Sequence, residues 1–363
     1  MKKSVRFLAL VTEAYGGRGG IAQYNRDYLS ALARADGGTS IIVLPRKAPD
    51  MSAHKDARMR QLPPRSGRIA YALAAIWTAF MRPVEIVFCG HLHMAPIAAL
   101  IARLKGAKLI LQMHGIEAWQ TPSRLVRWVA ESADLILCVS RYTRRRVLEW
   151  APIAPERVLV LPNTVSESFS PGETDLRAGL GLEGERVLLT VGRMDSREAY
   201  KGHDRVIAAM PSVIARGHDV VYVILGEGDD RSRIAALAME AGISDRVRFM
   251  GAVNNETLVG AYRIADLYIM PSTGEGFGIA YLEAMASGTP ALGLGVAGAC
   301  DALADGELGS CVAETELGEA IAKRLEMPRS DPQVLASAVE ARFGREAFRA
   351  RARGILDALK AAA

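Results

Sequence analysis

Two carboxylates eight positions apart, Glu275 and Glu283, frame the run EGFGIAYLEAMASGTP. Gly-Phe-Gly lies just after the first, an Ala-rich helical stretch carries the second, and Gly-Thr-Pro stops it. A helix starting near Gly278 would offer its free N–H groups, with those of Gly276 and Phe277, to an anion. Glu275 then stands just outside that terminus, and Glu283 lies about one and a half turns inside it. Two acids so placed cannot do the same job. Neither suits a phosphate, because like charges repel. Both suit hydroxyl groups, as hydrogen-bond acceptors. Upstream, GRMDSREAYKG sets Arg193 and Lys201 on either side of a short polar loop. A planar guanidinium and a mobile ammonium there could balance the two charges of a diphosphate, although a solvated charged loop would look the same. A ligand with a diphosphate in its middle and hydroxyl-rich groups at both ends fits this layout. A nucleotide sugar is such a ligand.

Other chemistry-bearing residues also follow apolar runs. EAYGGRGGIAQYNRDYL places Gly16, Gly17, Gly19 and Gly20 before a helix, where backbone can approach a ligand and a helix N-terminus favours anions. The spacing is not GxGxxG, and a plain flexible loop accounts for it too. His114 follows the run KLILQM and is followed by Gly115. HLH places His91 and His93 after another such run; no third ligand stands near them, so no metal is expected. GEGDD offers Glu227 and Asp229, as a divalent-ion site or as a polar turn. FMGAVNN, with Val253, supplies a backbone edge that could hydrogen-bond a nucleobase.

Stepping outward, short β-rich runs alternate with helical patterns along all 363 residues. Strands are expected near 5–11, 40–45, 85–89, 107–112, 134–139 and 157–161. They resume near 186–191, 219–225, 246–249, 266–270, 290–293 and 308–312, and helices near 313–326 and 344–361 close the chain. This alternation predicts βαβ units and an α/β fold of two doubly wound parallel sheets facing across a cleft, with ligands at the carboxyl ends of the strands. SESFSPGETDLRAGLGLEGE breaks the pattern, so the joint is expected within 163–185. That gives an N-terminal unit, 1–165, and a C-terminal unit, 166–343, with 344–363 packing back on the first.

The chain resembles retaining glycosyltransferases of family 4 (group 1), which have the GT-B fold. The resemblance rests on GRMDSREAYKG, LGEGDD, FMGAV and above all EGFGIAYLEAMASGTP, and it covers nearly the whole chain. It implies that Glu275 contacts the transferred sugar and Glu283 the ribose. Arg193 and Lys201 would grip the diphosphate, His114 would be the cleft histidine of the first unit, and Gly19 and Gly20 would lie near the β-phosphate and acceptor. It implies transfer of a hexose from a GDP- or UDP-sugar to a glycan acceptor, with an α-linked product, no cofactor and no metal. Two departures stand out. The Arg193-to-Lys201 spacing is longer than the commonest form. The loop after Gly293 reads GLGVAGACDAL where many members have Gly-Gly, then an acid and an apolar residue; Asp301 is the candidate for that acid. The alternatives are a sugar-nucleotide epimerase on the same fold and a transferase acting on a small soluble acceptor.

Residues 1–165 carry 24 Lys and Arg against 11 Asp and Glu, a net +13, whereas the remainder nets −8. A basic half suggests an anionic partner. RIAYALAAIWTAFMR, residues 68–82, is apolar on almost every face and is flanked by Arg58, Arg60, Arg65, Arg68 and Arg82. It reads either as a buried helix or as one that dips into a headgroup region. With RYTRRRV it favours a polyprenyl-diphosphate-linked acceptor at an anionic membrane surface. No nucleic-acid partner is expected. The opening MKKSVRFLALV is too short in its apolar run for a signal peptide, and no stretch spans a bilayer, so a cytoplasmic or peripheral protein is expected. The four cysteines show no CxxC spacing and read as reduced thiols.

Overall fold

The computed structural model describes residues 6–17, 19–35, 39–50, 58–328 and 331–361. The chain divides into two compact units. The first comprises Met1–Thr164 with Glu346–Ala363, and the second Val165–Arg345.

The first unit is built from β1 (Arg6–Val11), α1 (Gly20–Ala35), β2 (Ser40–Pro45), β3 (Met59–Gln61), α2 (Arg68–Phe80), β4 (Ile86–Cys89), α3 (Ala95–Lys105), β5 (Lys108–Met113), α4 (Arg124–Ser132), β6 (Leu135–Cys138), α5 (Arg141–Trp150) and β7 (Val158–Val160). Its seven strands run parallel in the order β3-β2-β1-β4-β5-β6-β7. Strands covered by helices on both faces must be apolar on both, and β1, β4 and β6 read RFLALV, IVFC and LILC. Their register pairs Leu8 with Ile42 and Val87; Leu8 and Val87 are fully buried, and the partly buried Ile42 packs against them. Each such side chain removed from water contributes roughly 1.5–3 kcal/mol.

The second unit runs α6 (Leu176–Gly179), β8 (Arg186–Val191), α7 (His203–Ala215), β9 (Val220–Leu225), α8 (Arg231–Glu240), β10 (Val247–Gly251), α9 (Asn255–Ile264), β11 (Leu267–Met270), α10 (Ile279–Ala286), β12 (Ala291–Leu294), α11 (Ala299–Ala302), β13 (Ser310–Val312), α12 (Leu317–Glu326) and α13 (Pro332–Phe343). Its six parallel strands take the order β10-β9-β8-β11-β12-β13. Two buried hydroxyls at the centre of this sheet are satisfied locally. Tyr222 Oη lies 2.8 Å from Thr190 Oγ1, and Thr190 donates to the Ile269 carbonyl, which ties β9, β8 and β11 together. The last helix, α14 (Arg345–Ala361), buries Phe348 against Tyr24 of the first unit, edge to face with centroids 6.0 Å apart.

The expected strands are present with ends shifted by one or two residues, and both sheets are parallel as the alternation requires. Four elements were absent from the sequence reading, β3, α6, α11 and α13. The segment expected to hold the joint divides early, between Thr164 and Val165. Most of it packs on the second unit, where Arg263 donates to the carbonyls of Ser170 and Glu173. Cys300 lies in the short helix α11 rather than in a loop. Residue 5 of the expected first strand and residues 362–363 of the segment expected to pack back on the first unit lie outside the described residues.

Candidate functional site

In a sheet ordered 3-2-1-4-5-6 the crossovers change side between the first and fourth strands, and a crevice opens at their carboxyl ends. In the second unit these strands are β8 and β11. The loop after β8 carries Arg193 and Lys201; the loop after β11 carries Glu275. They meet. Lys201 Nζ lies 3.4 Å from Glu275 Oε1 and 3.9 Å from Glu198 Oε2, and the Thr273 amide donates to the Tyr200 carbonyl at 2.9 Å. Gly202 permits this approach: its φ is +80°, and a Cβ there would fall 2.4 Å from the Pro271 carbonyl oxygen. The extra residues between Arg193 and Lys201 wind into a 3-10 turn, Ser196–Lys201, which returns Lys201 to the crevice. Arg193 pairs with Glu198 and its side chain remains 69% exposed. So both cations share one carboxylate, Glu198.

Asp229 of GEGDD holds this loop in place. It accepts from the Ser196 amide at 2.7 Å and from Ser196 Oγ at 3.0 Å. The Met194 amide donates to the Glu227 carbonyl, and the Asp230 amide to the Met194 carbonyl, both at 2.9 Å. The polar-turn reading therefore describes these acids. Among the described residues no group of three or more His, Cys, Asp or Glu side chains converges as a metal site.

Helix α10 starts at Ile279. Gly278 caps it with φ +92°, and no side chain takes its first-turn amides. The Tyr281 amide donates to the Gly278 carbonyl at 3.1 Å, which leaves the amides of Ile279 and Ala280 as the first-turn donors for a ligand. Phe277 is buried edge to face against Phe343, 5.8 Å between centroids. Gly276 and Glu275 are steadied from the loop after β12, where the Gly298 amide donates to the Glu275 carbonyl at 2.9 Å. Tyr281 donates its hydroxyl to the Met270 carbonyl, which fixes the helix to the end of β11. Glu283 points one turn deeper and accepts from Tyr262 Oη at 2.8 Å. Burial raises its carboxyl to about 7, and the Tyr262 hydroxyl works in the opposite direction. Val253 sits in the turn after β10, half-buried, and its backbone makes no hydrogen bond among the described residues. Asp301 lies in α11, its amide donating to the Gly298 carbonyl at 3.1 Å.

In the first unit the corresponding strands are β1 and β4. Gly19 has φ +88° and Gly20 opens α1. The tightest glycine is Gly16, where a Cβ would fall 1.6 Å from the Asp50 carbonyl oxygen. The loop is held by Asn25 and Arg26, which donate to the carbonyls of Glu13, Ala14 and Gly17 at 2.8, 2.9 and 2.8 Å. His114, at the end of β5, is fixed at both ends. Its Nε2 lies 2.9 Å from the Gly90 carbonyl after β4, and its amide donates to Glu117 Oε1 at 2.5 Å. A carbonyl only accepts, so Nε2 carries the proton and Nδ1 keeps its lone pair. Burial lowers the imidazole below its ordinary value, with Glu117 opposing. Tyr24 stands edge-on to it at 5.3 Å. His91 lies 4.6 Å from His93 and 6.3 Å from His114, ring to ring, and burial pushes it down to about 4. Burial thus favours the neutral imidazole at His91 and His114, which cluster with His93 at the strand ends.

Glu198 and Tyr262 belong to this machinery but escaped the sequence reading. Glu198 had a signal: it precedes Lys201 by three, the eclipsed spacing of a 3-10 turn. Tyr262 reaches Glu283 from α9, and nothing local in the sequence points to it.

Residues 173–342 match the family described as glycosyl transferases group 1, and residues 18–169 match glycosyltransferase family 4. The chain belongs to this family of GT-B glycosyltransferases. Among its relatives is a GDP-mannose-dependent alpha-(1-6)-phosphatidylinositol monomannoside mannosyltransferase of Mycolicibacterium smegmatis, 30% identical over 64% of this chain and 64% of that protein. A D-inositol 3-phosphate glycosyltransferase of a Mycobacterium species is 33% identical over 53% of this chain and 44% of its own length. The chain thus spans less than two thirds of the curated relatives it matches. The crystal structure of Anabaena HepE in complex with UDP superposes with a TM-score of 0.78 at 17% identity, covering 98% of this chain and 100% of that one. At that identity the likeness is one of fold.

Proposed function

We propose that this glycosyltransferase moves a hexose, of mannose or glucose type, from a GDP- or UDP-sugar to a glycan acceptor and retains the donor's α configuration. The carrying observation is the meeting of Lys201, Glu275 and the uncapped start of α10 at one switch point, with Glu283 a turn deeper. Read as a donor site, Arg193, Lys201 and the α10 amides take the diphosphate. Glu275 takes sugar hydroxyls and Glu283 the ribose. Val253 and its neighbours offer backbone to the base. Gly19 and Gly20 would approach the β-phosphate and acceptor. The mannosyltransferase relatives support a mannosyl donor.

The diphosphate leaves first, and positive charge grows at the anomeric carbon. Fixed donors aimed at the departing oxygens lower that barrier without reorganising. A leaving phosphate oxygen can take the acceptor proton on the same face, which retains configuration and requires no separate protein base. His114, neutral with Nδ1 as acceptor, orients the sugar rather than donating a proton. The phosphate charge is met by side chains and amides, so the reaction runs without a divalent ion. A lipid-linked acceptor fits the basic first unit, and the phosphatidylinositol-mannoside named for the relatives has the same character. The protein would then work peripherally at the inner face of the cell membrane.

Thermal stabilisation by UDP-, GDP- and ADP-sugars tests the donor site, since a ligand at a hundred times its Kd adds about 2.7 kcal/mol. A shift with one nucleotide series, followed by nucleoside diphosphate release only when acceptor is added, is expected. No shift with any series would overturn the reading.

A further inference from the structure

Residues 68–82 are not a buried helix. Helix α2 turns its small side chains inward, Ala75, Ala79 and Thr78 beside Tyr71, and its large ones outward. Ile69 is 78% exposed, Phe80 75% and Trp77 64%, and the last two stack with centroids 6.3 Å apart. This inverts the usual amphipathic order, in which the bulkiest apolar residues are buried. The neighbours do the same. Helix α3 packs beside α2, and α4 beside α3. The inner faces of all three enter one core cluster, through Ala75, Ala98 and Val129 among others, so their outer faces look away from the same side of the sheet. Those outer faces add Leu104 of α3 and Trp128 of α4, both more than half exposed.

We propose that the outer faces of α2, α3 and α4 form one docking plane for an anionic bilayer surface. An exposed apolar patch of this extent marks an interaction site. The charge on the page chooses the partner. Helices α2 and α3 contain no Asp or Glu. Helix α4 has one acid, Glu131, and Arg127 holds it at 2.7 Å. Exposed cations stand at the ends of the patch: Arg68 and Arg124 at the starts of their helices, Arg82, Arg103 and Lys105 at the far ends. Cations around a tryptophan-bearing apolar centre match lipid phosphates around acyl chains. No helix among the described residues is long and apolar enough to cross a membrane, so the contact would lie in the interface plane. This deepens the reading of a membrane-borne acceptor and rests on that reading only for the acceptor's delivery.

The test uses the full chain with vesicles of phosphatidylcholine alone and of phosphatidylcholine with phosphatidylglycerol, by co-sedimentation and tryptophan emission. Binding to the anionic vesicles is expected to exceed binding to the neutral ones at least tenfold. It should weaken as salt rises and shift tryptophan emission to the blue. Trp77→Ser with Phe80→Ser should lower the partition coefficient at least tenfold and leave UDP or GDP binding and Tm unchanged, because both side chains are exposed. Undiminished binding by that variant would overturn the proposal. So would a wild-type dimer in solution that the same variant dissolves, since the patch would then join two copies. Vesicles ignored while nucleotide still binds would sink the docking plane alone. Vesicles bound by a chain that takes no nucleotide would sink the donor reading alone.

Discussion

Both sheets share one strand order and open a crevice at the same topological point, yet the two crevices hold different chemistry. In the second unit the loops after β8 and β11 are knit by ion pairs and uncapped amides: Lys201 to Glu275, Arg193 to Glu198, and the free start of α10. In the first unit the corresponding region holds His114, a buried neutral imidazole edge-on to Tyr24, and Arg26 donates to backbone carbonyls. Topology supplies a place; loop length and residue type supply the chemistry. The charged crevice suits a diphosphate. The imidazole-lined one suits neutral hydroxyls.

Disabling one residue in each crevice tests that division most severely. Glu275→Gln should lower the transfer rate by about 10³-fold and leave nucleoside diphosphate affinity within a few-fold, because the partner proposed for it is the sugar. His114→Gln should lower kcat by about 10²-fold, also without changing nucleotide affinity. Single-turnover kinetics and calorimetry separate the two quantities. A Glu275→Gln variant that loses nucleotide affinity as strongly as Glu283→Ala would erase the distinction between the two acids.

The next effect is a pH dependence confined to the second unit. Burial raises the Glu283 carboxyl from its ordinary 4.5 to about 7. For an acid with a raised folded value, the folded chain holds a proton that the unfolded chain has released. That contribution to stability is present below about 4.5 and is lost as pH rises through about 7. The ribose binding proposed for Glu283 runs the other way, because an ionised carboxylate accepts from two hydroxyls without competing for them. Nucleotide affinity should therefore rise across pH 7, by about tenfold if a charge-assisted bond is gained. Glu283→Gln should flatten both profiles. Tyr262→Phe removes the hydroxyl that favours the ionised form and should move the midpoint upward. Affinity titrated by calorimetry from pH 6 to 8 decides it, and a flat wild-type profile would refute the ribose role.

How far the sequence reached follows from which signals are local. Strand β9, VVYVIL, is buried on both faces and announces itself in six residues. Strand β3 is only Met-Arg-Gln; it exists because β2 offers it an edge, Ile41 facing Met59, which is a tertiary cause without a local pattern. Helix α13 did carry a signal, Asp331 capping and Pro332 at the first helical position, but the preceding Met-Pro-Arg-Ser reads as loop. Residues 68–82 show the deepest limit. Periodicity counts apolar positions and is blind to which face is inward, so a helix that packs its alanines and presents its tryptophan looks the same as a buried one.

A smaller effect concerns how the charged crevice is held before a diphosphate arrives. Glu198 neutralises Arg193 and lies 3.9 Å from Lys201, and its Oε2 has no hydrogen-bond partner. A diphosphate beside those cations competes with it. Glu198→Gln removes the competing charge and keeps the shape. Nucleoside diphosphate should then bind about three- to tenfold more tightly, as expected for roughly 1 kcal/mol of partly screened attraction. Weaker binding would instead show that Glu198 positions Arg193 and Lys201 more than it opposes their ligand.

The smallest effect lies in the loop that steadies Glu275 from behind. Ala297 holds φ +54°, the left-handed region that a side chain disfavours by about 1–2 kcal/mol. Many family members have glycines in this loop, and the structure shows why one would suit: Ala297 is bent as a glycine would be, so that the next amide, Gly298, can reach the Glu275 carbonyl at 2.9 Å. Ala297→Gly relieves the strain but gives the unfolded chain more freedom, which costs about 0.4–1 kcal/mol. The balance favours glycine by about 0.5 kcal/mol, or a rise of about 1–2 °C in Tm for a unit of this size. Differential scanning calorimetry can resolve that change. A fall in Tm would mean that the alanine methyl makes contacts worth more than its strain. A rise in Tm with unchanged nucleotide affinity would place this loop's influence on the scaffold behind Glu275 rather than on the diphosphate itself.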